Sequence, residues 1–134
     1  MKPNPVVHFE LPAEDRERMR SFYEKTFGWQ THQLGAEMGD YITVTTTETD
    51  ENRMVKTPGT INGGFYQKHV VEPEAQHPSV VIAVPNIEEG MERVKANGGV
   101  IHGFPVDIPG VGKFVAFTDT EGNRLSILQP NERV

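Results

Sequence analysis

The chain contains no cysteine, which excludes disulfides, thiolate metal sites, Cys nucleophiles and thiol redox switching together. Positive charge is scarce: 13 Lys and Arg against 19 Asp and Glu leave a formal net charge of −6. A surplus of that sign repels phosphate backbones and anionic headgroups, so neither nucleic acid nor a membrane surface is an expected partner. No apolar run approaches the roughly 18 residues that a spanning helix needs. The opening Met1-Lys2-Pro3-Asn4-Pro5 lacks the apolar stretch of a secretory leader, and a cytoplasmic location is expected. Walker loops, GxGxxG after a strand, HExxH and GxSxG are all missing, which removes the commonest phosphate, dinucleotide, zinc-protease and serine-hydrolase readings.

What is there reads as one domain of 134 residues, long enough to bury about two-thirds of the surface its unfolded form exposes. Val6–Leu11 alternates in the strand manner, with Val7, Phe9 and Leu11 on one face and His8 and Glu10 on the other. Pro12 is expected to end that strand. From about Asp15 to Phe27 the period becomes helical, with Met19, Phe22, Tyr23 and Phe27 forming one stripe and Gly28 placed for a left-handed cap. Thr31–Gly39 has no clear period. Tyr41–Thr47 is β-branched and alternating, Glu48–Pro58 is polar and loop-like, and Thr60–Lys68 is a further strand interrupted by Gly63-Gly64. Paired glycines in a strand mark a bend or the close approach of a ligand or another backbone.

The order then restarts. After a linker over about 70–78, Ser79–Val84 is a strand closed by Pro85. Asn86, with Glu89 three residues on, caps a helix carrying Ile87, Met91 and Val94, which Asn97-Gly98-Gly99 stops. Val100–Phe104, Lys113–Thr118 and Arg124–Gln129 follow as strands, the last two joined by the turn Asp119–Asn123. Val106–Gly112, with Pro109-Gly110-Val111-Gly112, reads as either a lid or a plain connection. Strand, helix and three strands thus occur twice, as a module over about 6–69 and another over about 79–129. One such unit cannot cover its own sheet, so two should pair. The expected fold class is α+β: two βαβββ modules forming a curved mixed sheet with outer helices, its concave face a cavity.

This duplication resembles the vicinal oxygen chelate superfamily, which includes glyoxalase I, bleomycin-resistance proteins and extradiol dioxygenases. The resemblance covers about residues 6–129. It rests on the spacing from His8 to Phe22-Tyr23-x-x-x-Phe27-Gly28-Trp29, on Asn97-Gly98-Gly99, and on Asp119-x-x-Gly122-Asn123 before a final strand. In metal-dependent members, one side chain from the first and one from the last strand of each module bind a divalent cation. That Lewis acid holds two substrate oxygens and stabilises an enediolate or activates dioxygen. Carried over, His8 matches the first ligand position. The strand Asn62-Gly63-Gly64-Phe65 offers no carboxylate or imidazole, Ser79 stands at the second His, and Ser126 replaces the terminal Glu. Neutral hydroxyls are poor ligands for zinc, nickel or iron.

The resemblance therefore implies the bleomycin-resistance situation: a homodimer with no metal or other cofactor and a cleft that binds a small organic molecule. By strand parity the concave face carries His8 and Glu10 on the first strand, Ser79 on the fifth, and Arg124 and Ser126 on the last. Gly64 and Phe65 join them as candidate ligand-binding residues, although either Phe65 or Tyr66 fits the cavity side. His8 and Glu10 are the candidates for acid–base work, since an imidazole near a carboxylate can titrate close to neutrality. A purely structural role competes: His8 bonded to Ser79 or Ser126, and Glu10 paired with Arg124. Ser79 and Ser126 have no recognisable triad partners, so neither is assigned as a nucleophile. The enzymatic alternative is a divalent-metal lyase, isomerase or dioxygenase using His8 with non-standard ligands, for which His69, His77 and His102 are the available imidazoles. A regulatory or structural dimer with a vestigial cleft is the third reading.

Overall fold

The computed structural model describes residues 1–68 and 76–131. Among these residues are eight strands and two α-helices: β1 (Val6–Ala13), α1 (Arg16–Phe27), β2 (Gln30–Gln33), β3 (Ile42–Thr45), β4 (Asn62–Gln67), β5 (Ser79–Ala83), α2 (Ile87–Ala96), β6 (Val100–Ile108), β7 (Gly112–Thr118) and β8 (Arg124–Pro130). The α+β class and the twice-repeated order of strand, helix and three strands are as expected. The chain divides into two compact units, His8–Pro78 and Ser79–Val134, the latter joined by Met1–Val7. His69, and the expected linker as far as residue 75, lie outside the described residues.

In the first unit the strand order is β2-β3-β4-β1, with β1 and β4 parallel and the other neighbours antiparallel. The helix α1 starts where Asp15 accepts a hydrogen bond from the Arg18 amide at 3.0 Å, and stops where Gly28 takes a left-handed φ of 73°. Ile42, Val44 and Phe65 are buried against Phe9, Leu11, Met19, Tyr23 and Trp29. The expected helical stripe is narrower than four residues. Met19 and Tyr23 pack inward, whereas Phe22 and Phe27 are 54% and 62% exposed. At 100° per residue Phe22 and Phe27 fall roughly 60° and roughly 80° to either side of Met19, on the flanks of the buried arc.

Two further expectations are corrected in this unit. Pro12 does not end β1: the register with β4 continues through Pro12↔Tyr66 to Ala13↔Gln67. Alternate residues of a strand turn their N–H groups to opposite sides, so a proline can stand where no donor is asked of it. The stretch without clear period contains β2, a four-residue polar strand paired with β3, and a short 3-10 turn over Ala36–Met38. A strand reading Gln-Thr-His-Gln buries no apolar side chain, so alternation could not reveal it.

In the second unit the order is β5-β8-β7-β6, with β5 and β8 parallel. Asn86 accepts from the Glu89 amide at 2.9 Å and so caps α2. Ile87 and Met91 are buried with Val84, Val115, Phe117 and Ile127. The stretch Val106–Gly112, read as either a lid or a plain connection, begins as strand: β6 runs on through Val106, Asp107 and Ile108, which pair with Phe114, Lys113 and Gly112. Its register shifts between His102 and Val106, where Gly103 has a φ of 74° and Phe104 is 86% exposed. The bulge absorbs Pro105 without ending the strand.

Candidate functional site

Parity sorts the candidates. In β1, Phe9 and Leu11 pack toward α1, which turns His8 and Glu10 to the opposite sheet face. In β3, Ile42 and Val44 are buried in the same core, so the residue before the strand, Tyr41, shares the face of His8 and Glu10. In β4, Phe65 is fully buried among Tyr23, Trp29 and their neighbours. Phe65 is therefore a core residue, and by parity Tyr66 stands on the opposite sheet face, with Gly64.

Tyr41 connects the two candidates on β1. Its hydroxyl donates to Glu10 Oε2 at 3.0 Å and lies 3.1 Å from His8 Nε2. The main chain of Tyr41 is held on both sides, its N–H donating to the Met38 carbonyl at 3.3 Å and its own carbonyl accepting from Leu34 at 2.8 Å. The phenol crosses directly over Gly64, whose missing Cβ would overlap the Tyr41 hydroxyl. On the other face, a Cβ on Gly63 would come within 2.5 Å of the Phe9 ring. Neither glycine has a left-handed φ. The Gly63-Gly64 pair thus admits two of the chain's own aromatic rings, one on each face of β4. The space above Gly64, read in the sequence as either a bend of the strand or room for a ligand, is taken by Tyr41.

Burial sets the charges. It drives the His8 imidazole down from its ordinary value to about 4, so the ring is neutral at pH 7. Burial pushes the Glu10 carboxyl up, and the hydrogen bond from Tyr41 opposes that by favouring the ionised form. The Tyr41 phenol is held well above its usual range, first by burial and then by the negative charge of Glu10. It remains a protonated donor at any working pH.

Ser79, Arg124 and Ser126 belong to the other unit. Ser79 opens β5 and is half-buried. Ser126 is 5% exposed and pairs with Val81 and Ala116, while Arg124 is half-buried opposite Thr118. Within that unit the core side chains Ile82, Leu125 and Ile127 point toward α2, leaving Ser79, Arg124 and Ser126 on the opposite sheet face by parity. Within their own unit, His8 and Glu10 share one partner, Tyr41. His77 is exposed, and His102 bonds through Nε2 to the Thr118 hydroxyl.

The chain matches the Glyoxalase/Bleomycin resistance protein/Dioxygenase superfamily over residues 6–127. It belongs to that superfamily. No curated protein sequence matches it. Among solved structures, it is similar to methylmalonyl-CoA epimerase from Mycobacterium tuberculosis, with a TM-score of 0.67, 11% identity, and coverage of 95% of this chain and 88% of that one. It is also similar to a glyoxalase/bleomycin resistance protein/dioxygenase superfamily member from Vibrio splendidus 12B01, with a TM-score of 0.57, 14% identity, and coverage of 95% and 99%. A hypothetical protein from Bacillus halodurans C-125 gives a TM-score of 0.69 at 13% identity, with 99% of each chain covered. Likeness at these identities is likeness of fold.

The cation found in metal-dependent superfamily members does not fit the residues here. Of the four positions, His8 alone is an imidazole or carboxylate, and its Nε2 is already bonded to Tyr41. Among the described residues no three His, Asp or Glu side chains gather as a metal would require. A membrane-spanning helix is likewise absent among them.

Proposed function

We propose that this superfamily member binds a small organic molecule without a metal ion, at the sheet face bearing His8, Tyr41 and Glu10. The observation that carries the reading is the position of the Tyr41 hydroxyl. It sits between the imidazole nitrogen and the carboxylate oxygen, the two atoms on this face that would otherwise be offered to a cation. A neutral imidazole, a phenol and a carboxylate are hydrogen-bonding groups for a polar organic ligand. The fold is compatible with such cargo: one structural neighbour is a methylmalonyl-CoA epimerase in complex with methylmalonyl-CoA. Acid–base turnover is a second reading, favoured by an imidazole and a carboxylate sharing one phenol. Within their own unit, Ser79, Arg124 and Ser126 are proposed as ligand-binding residues on that unit's sheet face, and a homodimer as the working assembly.

The test joins metal content to ligand-induced stabilisation. Untagged protein, purified without chelators and equilibrated with zinc, nickel, cobalt, manganese and ferrous iron, is expected to retain far less than one metal per chain by mass spectrometry. A fragment set of planar aromatics and thiol conjugates is expected to raise Tm, because a ligand that binds only the folded state stabilises it. His8→Ala should remove the shift. One metal per chain, lost in His8→Ala, would replace this reading with the metal-dependent lyase, isomerase or dioxygenase. A complete absence of Tm shifts would refute ligand binding.

A further inference from the structure

The hydrogen-bond chain from His8 to Glu10 has a direction. A phenol has one proton and can donate once. The Tyr41 proton goes to Glu10 Oε2 at 3.0 Å. The Tyr41 oxygen therefore meets His8 Nε2, 3.1 Å away, as an acceptor. His8 must supply the proton of that contact from Nε2, which leaves Nδ1 as the lone-pair nitrogen. Among the described residues, Tyr41 is the hydrogen-bond partner of the imidazole, and Nδ1 has none.

We propose that Tyr41 and Glu10 form an orienting clamp that fixes His8 as the Nε2–H tautomer, so that Nδ1 is presented as an acceptor and selects ligands bearing an O–H or N–H donor. Tyr41 is a positioning residue here, acting through His8 rather than on the ligand. The clamp is rigid for three reasons. The Tyr41 main chain is bonded at both N–H and C=O. Its phenol is seated over Gly64, where no other residue leaves room for it. Glu10 and His8 stand on the same face of β1, two residues apart, so one hydroxyl reaches both. The neutral state that burial imposes on the imidazole is the state in which a tautomer can be chosen at all. The last step, selection of donor-bearing ligands, rests on the binding reading above; the tautomer itself does not.

Long-range proton–nitrogen correlation spectra of the full chain, labelled with 15N at the histidine rings and recorded at neutral pH, test this without any ligand. His8→Gln assigns the His8 signals. The expected result is a single neutral ring with Nε2 protonated and Nδ1 bare. Tyr41→Phe, which keeps the ring and loses the hydroxyl, should turn this into an exchanging mixture of both tautomers. Gly64→Ala, which displaces the phenol, should do the same, with the His102 and His77 signals reporting that the fold is kept. A wild-type ring protonated on Nδ1, or a doubly protonated one, overturns the clamp. So does a His8 pattern that Tyr41→Phe and Gly64→Ala leave unchanged. Fragments that fail to raise Tm while the single tautomer persists would refute the binding reading and leave the clamp standing.

Discussion

Gly64→Ala separates two opposing expectations, and its sign is the informative quantity. Gly64 lies in β4 without a left-handed φ, so alanine fits the backbone there. On chain entropy alone the substitution should stabilise by roughly 0.4–1 kcal/mol. The added methyl, however, would overlap the Tyr41 hydroxyl and the adjacent ring carbons. The phenol has to leave, and with it the bond to Glu10 at 3.0 Å and the contact with His8 at 3.1 Å. A hydrogen bond to a charged group contributes about 1.5–3 kcal/mol and a neutral one about 0.5–1.5 kcal/mol. Relaxation of the site and new water contacts recover part of that sum, so a net loss of about 2 kcal/mol is expected. Urea unfolding followed by tryptophan fluorescence reads this as a lower midpoint at unchanged slope. In a Tyr41→Ala background the same change should become neutral or stabilising by up to about 1 kcal/mol, because the obstacle has gone. A single variant as stable as wild type, or equal losses in both backgrounds, would refute the account of why glycine stands at 64.

Phe65→Ala should lose about 3–5 kcal/mol in the same assay, since a fully buried ring among Tyr23 and Trp29 is removed; a loss below 1 kcal/mol would show that the ring is not in the core. Asn86→Ala should cost about 1 kcal/mol by removing the 2.9 Å cap on the Glu89 amide, and an unchanged midpoint would contradict that role. His8 should make the protein acid-sensitive. Its folded value of about 4 lies below the ordinary 6.5, so the unfolded chain takes up the proton first. The contribution is whole above about pH 6.5 and is lost as pH falls toward 4, amounting to roughly 3 kcal/mol at 1.36 kcal/mol per pH unit. Glu10, raised by burial, acts in the opposite sense, adding stability when protonated and losing it as pH rises through its raised value. Comparison with His8→Gln isolates the imidazole: the stability difference between the two proteins should shift by up to about 3 kcal/mol in favour of the variant from pH 7 to pH 4, and a constant difference would refute the burial of the ring.

The elements with strong local chemistry were readable from the chain alone. Asp15 and Gly28 bracket α1, Asn86 caps α2, and Asp119 nucleates the turn before β8 by accepting from the Glu121 and Asn123 amides at 2.8 and 2.9 Å. Asp15, Asn86 and Asp119 each satisfy a backbone donor within a few residues through a side chain, and Gly28 takes the left-handed φ that ends α1, so neighbours in sequence decide the outcome. β2 was invisible because it buries nothing, and the extension of β6 past Pro105 was hidden because a bulge is decided by its partner strand. The face of Phe65 could not be chosen within β4, since two successive aromatics satisfy either register equally. The core formed by Phe9, Ile42, Val44 and Phe65 breaks that tie only once β1, β3 and β4 are side by side.

The same dependence on pairing explains why His8 and Glu10 were recognisable and Tyr41 was not. The first two alternate with Phe9 and Leu11 on one strand, so parity alone puts them together. Tyr41 reaches them only because β3 pairs with β4 at Thr43↔Gly64, and β4 with β1 at Glu10↔Gly64. The usable trace in the sequence was the glycine pair itself. A strand that gives up two side chains in succession weakens its own packing, which marks either a bend or a close approach to its faces. Here the occupants are Phe9 and Tyr41, and both are internal. Gly64 therefore acts through the phenol it seats: β4 yields space, Tyr41 fills it, and the hydroxyl delivered there bonds both His8 and Glu10.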